Sequence, residues 1–366
     1  MSAFKHSIGP DHLKRVGKAI LSVYPEFSLK SFVAVQKDLE DLELKARVQR
    51  VRAALHELLP KDYERAVAIL LRSVKGETIR GFDLWPYTDF VQTYGQDRLK
   101  LSLDALSTLT QLFTSEFAVR PFLIHSPKET LAYLLKCCAS EDVHLRRWAS
   151  EGSRPRLPWG ERLSELVKDP SPTRPILDAL KFDPELYVRK SVANHLNDIA
   201  KDHPDYVIKV LRDWQTEAQT ADEKARLLWI TKHSLRSLIK SGHAGALKAI
   251  GVNTAAKVKV TGFKLSETLF ELGERMVFSL ELRSESTKKQ KIVLDYAIHY
   301  QKANGKMSPK VFKWKTFDLL PEEKVKLTKT HVLKAVTTRV HYEGAHVLSI
   351  HINGAALKTV KWTLTL

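Results

Sequence analysis

Residues 140–159 read SEDVHLRRWASEGSRPRLPW and concentrate side chains that could act on a polyanion. Arg146, Arg147, Arg154 and Arg156 can each make forked hydrogen bonds to a phosphate. Trp148 and Trp159 offer flat apolar faces to a sugar or a base. Glu151 is the odd member. It precedes Gly152, the glycine expected to cap a helix carrying Arg146, Arg147 and Trp148. A helix C-terminus is negative, so an anion there is unfavourable by roughly 0.3–1 kcal/mol. A phosphate-binding surface should not want it either. A carboxylate placed against both fields points to chemistry rather than affinity.

The elements that must position these residues are helical up to about Val252. DHLKRVGKAILSVY has apolar residues at helical spacing after an Asp11 cap, and LKARVQRVRAALHELL and DRLKLSLDALSTLTQLF continue the pattern. DPELYVRKSVANHLNDIAKDHPDYVIKVLRDW has the cadence of a HEAT repeat, with Val188, Val192, Leu196 and Ile199 on one face. Val143, Leu145 and Arg146 can be laid on Leu186, Val188 and Arg189 at an offset of 43 residues, inside the HEAT period of about 40–47. Such pairs stack into a solenoid with an extended concave surface.

Near Gly251 the period becomes two: Phe278, Leu280 and Leu282 alternate with Val277, Ser279 and Glu281. KIVLDYAIHYQK, KVFKWKTFDL, KVKLTKTHVL, AHVLSIHIN and KTVKWTLTL follow at short spacing. The expected fold class is therefore a multidomain chain, α then β. A HEAT-like helical-repeat solenoid over residues 1–252 precedes an immunoglobulin-like β-sandwich over residues 253–366.

The chain has 366 residues, 59 Lys and Arg against 42 Asp and Glu, and a net charge of +17. That balance favours polyanions, most often nucleic acid. The segment from residue 255 holds 20 Lys and Arg against 10 Asp and Glu. It is a candidate phosphate clamp, although lysines on strands also protect sheet edges. The N-terminal MSAFKHSIGPDHLKR has no apolar secretory core, and no apolar run approaches a membrane span. Cys137 and Cys138 read as reduced core thiols of a cytoplasmic protein. No zinc spacing and no phosphate-cradling glycine loop appears.

Three stretches, TSEFAVRPFL (114–123), ASEGSRPRLPW (149–159) and VANHLNDIAKDHP (192–204), resemble the AlkC-type DNA glycosylases, HEAT-repeat relatives of AlkD that remove alkylated bases. The resemblance covers the helical part, and some members also carry a C-terminal immunoglobulin-like domain. It implies hydrolysis of the N-glycosidic bond of cationic N3-alkyl bases, chiefly 3-methyladenine and 3-methylcytosine, with no metal and no organic cofactor. It places the functional carboxylates on Glu116, Glu151 and Asp198 and the active-site aromatic on Trp159; Phe117, in the same motif as Glu116, is a further candidate DNA contact. The implied partner is duplex DNA carrying alkylated bases, bent around the solenoid with the lesion kept in the duplex. A monomer in a bacterial cytoplasm, with no membrane partner, completes that picture.

The residues support such chemistry independently. An N3-alkylated base is already cationic and leaves without a general acid. Carboxylates can stabilise the sugar's oxocarbenium character and position or deprotonate water. Glu116, Glu151 and Asp198 are 35 and 47 residues apart, near one repeat each, so neighbouring repeats could each supply one. Each also has a plainer reading. Glu116 follows Thr114 and Ser115 and suits a first helical turn. Asp198 shares a polar line with Lys190 and Asn194 and could be solvated helix surface. Trp159 follows Pro158 and could be a buried hinge. Arg147, Arg154 and Arg156, with Lys190 and Asn194, are the candidate DNA ligands, and surface ion pairs are the alternative. At the level of the whole chain, the rivals to an enzyme are a HEAT scaffold for protein partners and a catalytically inert binder of damaged DNA.

Overall fold

The computed structural model describes residues 6–76, 78–337 and 339–366. The chain forms two compact units, one ending at Asp202 and one beginning at His203. The first contains α1 (Pro10–Leu21), α2 (Leu29–Ala34), α3 (Leu44–Leu58), α4 (Tyr63–Ser73), α5 (Trp85–Tyr94) and α6 (Leu99–Thr110). It continues with α7 (Arg120–His125), α8 (Pro127–Cys137), α9 (Val143–Gly152), α10 (Ser164–Lys168), α11 (Arg174–Leu180) and α12 (Leu186–Ile199). α1 starts one residue before the expected Asp11 cap, with Gly9 at the N-cap and Pro10 in the first turn. Proline suits that position because its missing N–H would have had no intrahelical partner.

Helices pack in neighbouring pairs, α3 on α5 and α9 on both α8 and α12. The 43-residue offset between α9 and α12 is visible in their hydrogen bonds. Arg146 Nη1 donates to the carbonyls of Ser140 and Glu141, at 3.0 and 2.8 Å. Arg189 Nη1 donates to the equivalent carbonyls of Asp183 and Pro184, at 2.7 and 2.6 Å. Arg146 also pairs with Asp183 of the next repeat through Nε at 2.6 Å, tying one repeat to the next. The expected apolar line Val188, Val192, Leu196 and Ile199 is buried. Trp148 is fully buried as well, so its face belongs to the core and is closed to ligand. Cys137 and Cys138 are buried free thiols, pushed up to about 11 and about 12 by burial.

The second unit opens with α13 (Pro204–Glu217), α14 (Ala221–Ser234), α15 (Arg236–Lys240) and α16 (Ala244–Ala249). A sandwich follows, with β1 (Val258–Leu265), β2 (Leu269–Glu271), β3 (Arg275–Ser284), β4 (Gln290–Gln301), β5 (Met307–Leu319), β6 (Lys324–Val332), β7 (Gly344–Ile352) and β8 (Ala355–Thr365). One sheet has the order β1-β3-β6 and the other β2-β8-β7-β4-β5. Phe278, Leu280 and Leu282 enter the shared core with Ile292, Leu294, Ile298, Ile350 and Trp362. Opposite that core, Val293 of β4 packs with Leu247, Ile250 and Val252. That apolar cluster joins the last helices to the sheet within the second unit. Among the described residues no helix is long and apolar enough to cross a membrane.

Candidate active site

α9 presents two faces. Asp142 caps its N-terminus, accepting from the amides of His144 and Leu145 at 2.7 and 3.1 Å. Trp148 and Ala149 point into the core. Arg147 and Glu151, four residues apart, share another face, and Glu151 is only 6% exposed. The helix runs through Gly152 and is capped by Ser153 at φ −91°. The expected left-handed cap is therefore not formed. A Cβ on Gly152 would lie 2.6 Å from Val119 Cγ1, so the glycine serves close packing.

Residues 153–163 form a loop anchored by Arg120. This fully buried guanidinium donates from Nη1 to the carbonyls of Gly152 and Arg154, each at 2.9 Å, and from Nε to the carbonyl of Glu161. Burial, with Arg154 close by, lowers its pKa to about 10, so it stays cationic at neutral pH. The loop presents Trp159 with 75% of its surface exposed and φ at +66°. A non-glycine residue in that conformation is strained by about 1 kcal/mol.

The three carboxylates are brought into one line by alternating cations. Arg147 Nη1 lies 2.6 Å from Glu116 Oε2 and donates to Thr114 Oγ1 at 3.0 Å. Its Nη2 is 3.6 Å from Glu151 Oε1. Arg154 Nη1 donates to the same Glu151 oxygen at 2.6 Å, and its Nε and Nη2 reach Asp198 Oδ2 at 2.8 Å. Lys201 Nζ closes the line on Asp198 Oδ1 at 3.0 Å. Burial alone would lower the Arg154 pKa, but Glu151 and Asp198 more than offset it and hold it above the usual range. Among the described residues, Glu116 Oε1 and Glu151 Oε2 accept no hydrogen bond, so each carboxylate keeps one oxygen for a ligand or water. Asp198, like Glu151, occupies the last turn of its helix, against the dipole.

Beside this line lies an open cleft of about 390 Å³, lined by Phe82, Trp85, Phe113, Phe117, Leu157 and Trp159 together with Glu116, Glu151 and Arg154. Trp85 and Phe117 stack at 5.9 Å. His195 sits behind Arg154, fully buried with Nδ1 3.0 Å from the Ser150 carbonyl. Burial, then the nearby Arg154, pushes its pKa down to about 3. It is neutral at physiological pH and poorly suited to donate a proton.

Of the residues singled out from sequence, Glu116, Glu151, Asp198, Arg147 and Arg154 meet in the ion-pair line, and Phe117 and Trp159 line the cleft. Trp159 is exposed, so the buried-hinge reading is excluded. Arg156 lies apart, forked onto Asp202 at 2.7 and 2.8 Å. Lys190 is exposed and Asn194 half-buried on the α12 face that carries Asp198. Sequence reasoning missed Arg120, Trp85, Phe82, Phe113 and Lys201. For Arg120 a signal existed: a lone charge in the apolar run AVRPFL.

Over 99% of both chains, this structure matches Pseudomonas fluorescens alkylpurine DNA glycosylase AlkC bound to DNA containing an abasic site analog, with a TM-score of 0.93 and 38% identity. The chain belongs to the AlkC family. A second member-like relative is the uncharacterized protein YhaZ of Bacillus subtilis (strain 168), 38% identical over 97% of each chain. A family model described as the uncharacterised protein YhaZ C-terminal Ig-like domain matches residues 259–366. The AlkC architecture of helical repeats followed by an immunoglobulin-like domain is thus the architecture of this chain.

Proposed function

We propose that this AlkC-family chain is a DNA glycosylase that hydrolyses the N-glycosidic bond of cationic N3-alkylated bases, 3-methyladenine and 3-methylcytosine, in duplex DNA. The observation that carries the reading is an aromatic cleft lined by Glu116 and Glu151, with Asp198 holding the Arg154 that reaches Glu151. A pure DNA binder gains nothing from carboxylates lining the cleft that meets a polyanion. Glycosylase activity in the AlkC relative supports the same conclusion.

In this mechanism the bond between C1′ and the base nitrogen breaks heterolytically. Its electron pair returns to the base and cancels the positive charge, so the base leaves neutral without taking up a proton. The deoxyribose gains oxocarbenium character, which the free oxygens of Glu116 and Glu151 stabilise electrostatically. Water adds to C1′, and its proton passes to a carboxylate or to solvent. Arg147 and Arg154 fix the carboxylates, while Asp198 fixes Arg154. Lys190, exposed on α12 and outside that line, is the candidate phosphate ligand, and Arg156 and Asn194 join it in that role once their present partners are exchanged for phosphate.

Trp159 and the Trp85–Phe117 stack pack against the sugar or the base face, where a cationic ring is attracted by the aromatic quadrupole. Folding does not reward a strained, exposed indole; a ligand does. An open cleft suits a lesion that stays in bent duplex without full flipping. The basic β-sandwich, at 20 Lys and Arg against 10 Asp and Glu from residue 255, is the second backbone contact. Incubating the full chain with N-methylated duplex DNA and separating the free bases tests the reading. Release of 3-methyladenine above the spontaneous rate is expected; release at the spontaneous rate by folded, DNA-binding protein would reduce the chain to a binder of DNA.

A further inference from the structure

A second cavity lies wholly within the second unit, between α14, α15 and the outer face of the β4–β5 pair. Its volume is about 500 Å³. Lys232, Arg236, Lys240, Lys291 and Lys313 line it, with the hydroxyls of Ser237 and Thr316. One carboxylate, Asp295, accompanies these five cations, and it is only 5% exposed. The backbone is shaped around it. β4 and β5 slip register between Leu294 and Asp295, leaving Trp314 as the extra residue opposite. Such bulges re-aim side chains, and this one sits directly opposite Asp295.

Five cations around a small cavity select an anion, yet a buried carboxylate repels one. The conflict disappears if the anion brings its own proton, because the carboxylate then accepts a hydrogen bond from it. We propose that this cavity binds a terminal phosphate, either orthophosphate or a phosphate monoester, and discriminates against phosphodiesters. A terminal phosphate holds an exchangeable proton near neutral pH, its second pKa being about 6. A diester carries a charge but no proton and meets Asp295 as an unrelieved repulsion. Burial raises Asp295 to about 6, against the pull of Lys313, the Trp314 amide and Lys240. One proton can therefore be shared between Asp295 and the phosphate, with Lys232, Arg236 and Lys291 supplying the remaining counter-charge. Affinity is then highest near pH 6 and falls as pH rises towards 8, where that proton is lost.

The site is independent of the proposed base excision. It is tested on full-length protein by calorimetric titration with orthophosphate, a nucleoside 5′-monophosphate and dimethyl phosphate. Short duplexes with and without a 5′-phosphate distinguish a free anion from a strand end as the source. The first two ligands should bind at least about tenfold more tightly than the diester, the scale of one hydrogen bond to a charged group. A preference for the phosphorylated duplex assigns the site to strand ends; its absence, with orthophosphate still bound, assigns it to the free anion. Asp295→Asn should reverse the pH dependence, affinity for the monoester then rising from about pH 6 to 8 as the dianion forms, and Lys240→Ala with Lys313→Ala should abolish binding in a folded protein. Equal binding of monoester and diester at about pH 6, a fall in affinity from about pH 6 to 8 that survives in Asp295→Asn, or no binding of any phosphate would overturn the proposal.

Discussion

Replacing Glu151 by glutamine is expected to slow base release by roughly 10²–10³-fold while leaving DNA binding largely intact. Glutamine keeps the shape and one carbonyl oxygen for Arg154 Nη1, now 2.6 Å from Glu151 Oε1. It removes the negative charge that faces the developing oxocarbenium ion. It relieves an anion set against the dipole of α9 but weakens the buried pairs with Arg147 and Arg154, so the variant should melt somewhat below wild type and is assayed well below its melting temperature. Single-turnover release of 3-methyladenine, with enzyme in excess, isolates the chemical step from product dissociation. A folded variant with near wild-type single-turnover rates would remove Glu151 from the mechanism.

The second large effect is expected at Arg120, a positioning residue in no contact with substrate. Its guanidinium is fully buried and is shared among the carbonyls of Gly152, Arg154 and Glu161. Arg120→Met fills similar volume but leaves three carbonyls without their donor. Each unsatisfied buried group costs about 1–3 kcal/mol, so the loop over residues 153–163 should loosen before the unit unfolds. Arg154 and Trp159 then lose their fixed placement, and misplacement of about 1 Å can cost about 10²-fold in rate. The expected outcome is a lower single-turnover rate, protease cleavage within that loop and a shifted tryptophan emission. Arg120→Lys, which restores one donor and the charge, should recover part of each. Wild-type rates in Arg120→Met below its melting temperature would show that the loop holds itself.

Much of the architecture was legible in the sequence because it rests on local periodicity. The 3.6-residue pattern over 44–58 and 99–110 became helices, and the alternation over 275–284 became a central strand. The three-residue β2 is too short to show a period. How the last helices join the sheet depends on Val293 meeting Leu247, Ile250 and Val252, a contact across more than forty residues that no local pattern records. The same limit applied at the site. Glu151, Glu116 and Asp198 were read from helix position and family resemblance, and they do share one line of ion pairs. The arginines were read as phosphate ligands because their chemistry suits phosphate. Which anion a guanidinium faces is a tertiary fact: Arg154 meets Asp198 across 44 residues.

In the proposed mechanism the lesion's own positive charge replaces a general acid. The line of ion pairs holds three carboxylates, and His195, held neutral by burial and Arg154, offers no proton. The most direct test compares single-turnover excision of 3-methyladenine with excision of uracil and hypoxanthine from otherwise identical duplexes. The cationic base should be released readily, and the two neutral bases no faster than in the absence of protein. Efficient release of either neutral base would show that a proton donor, and not the charge of the lesion, drives departure of the base.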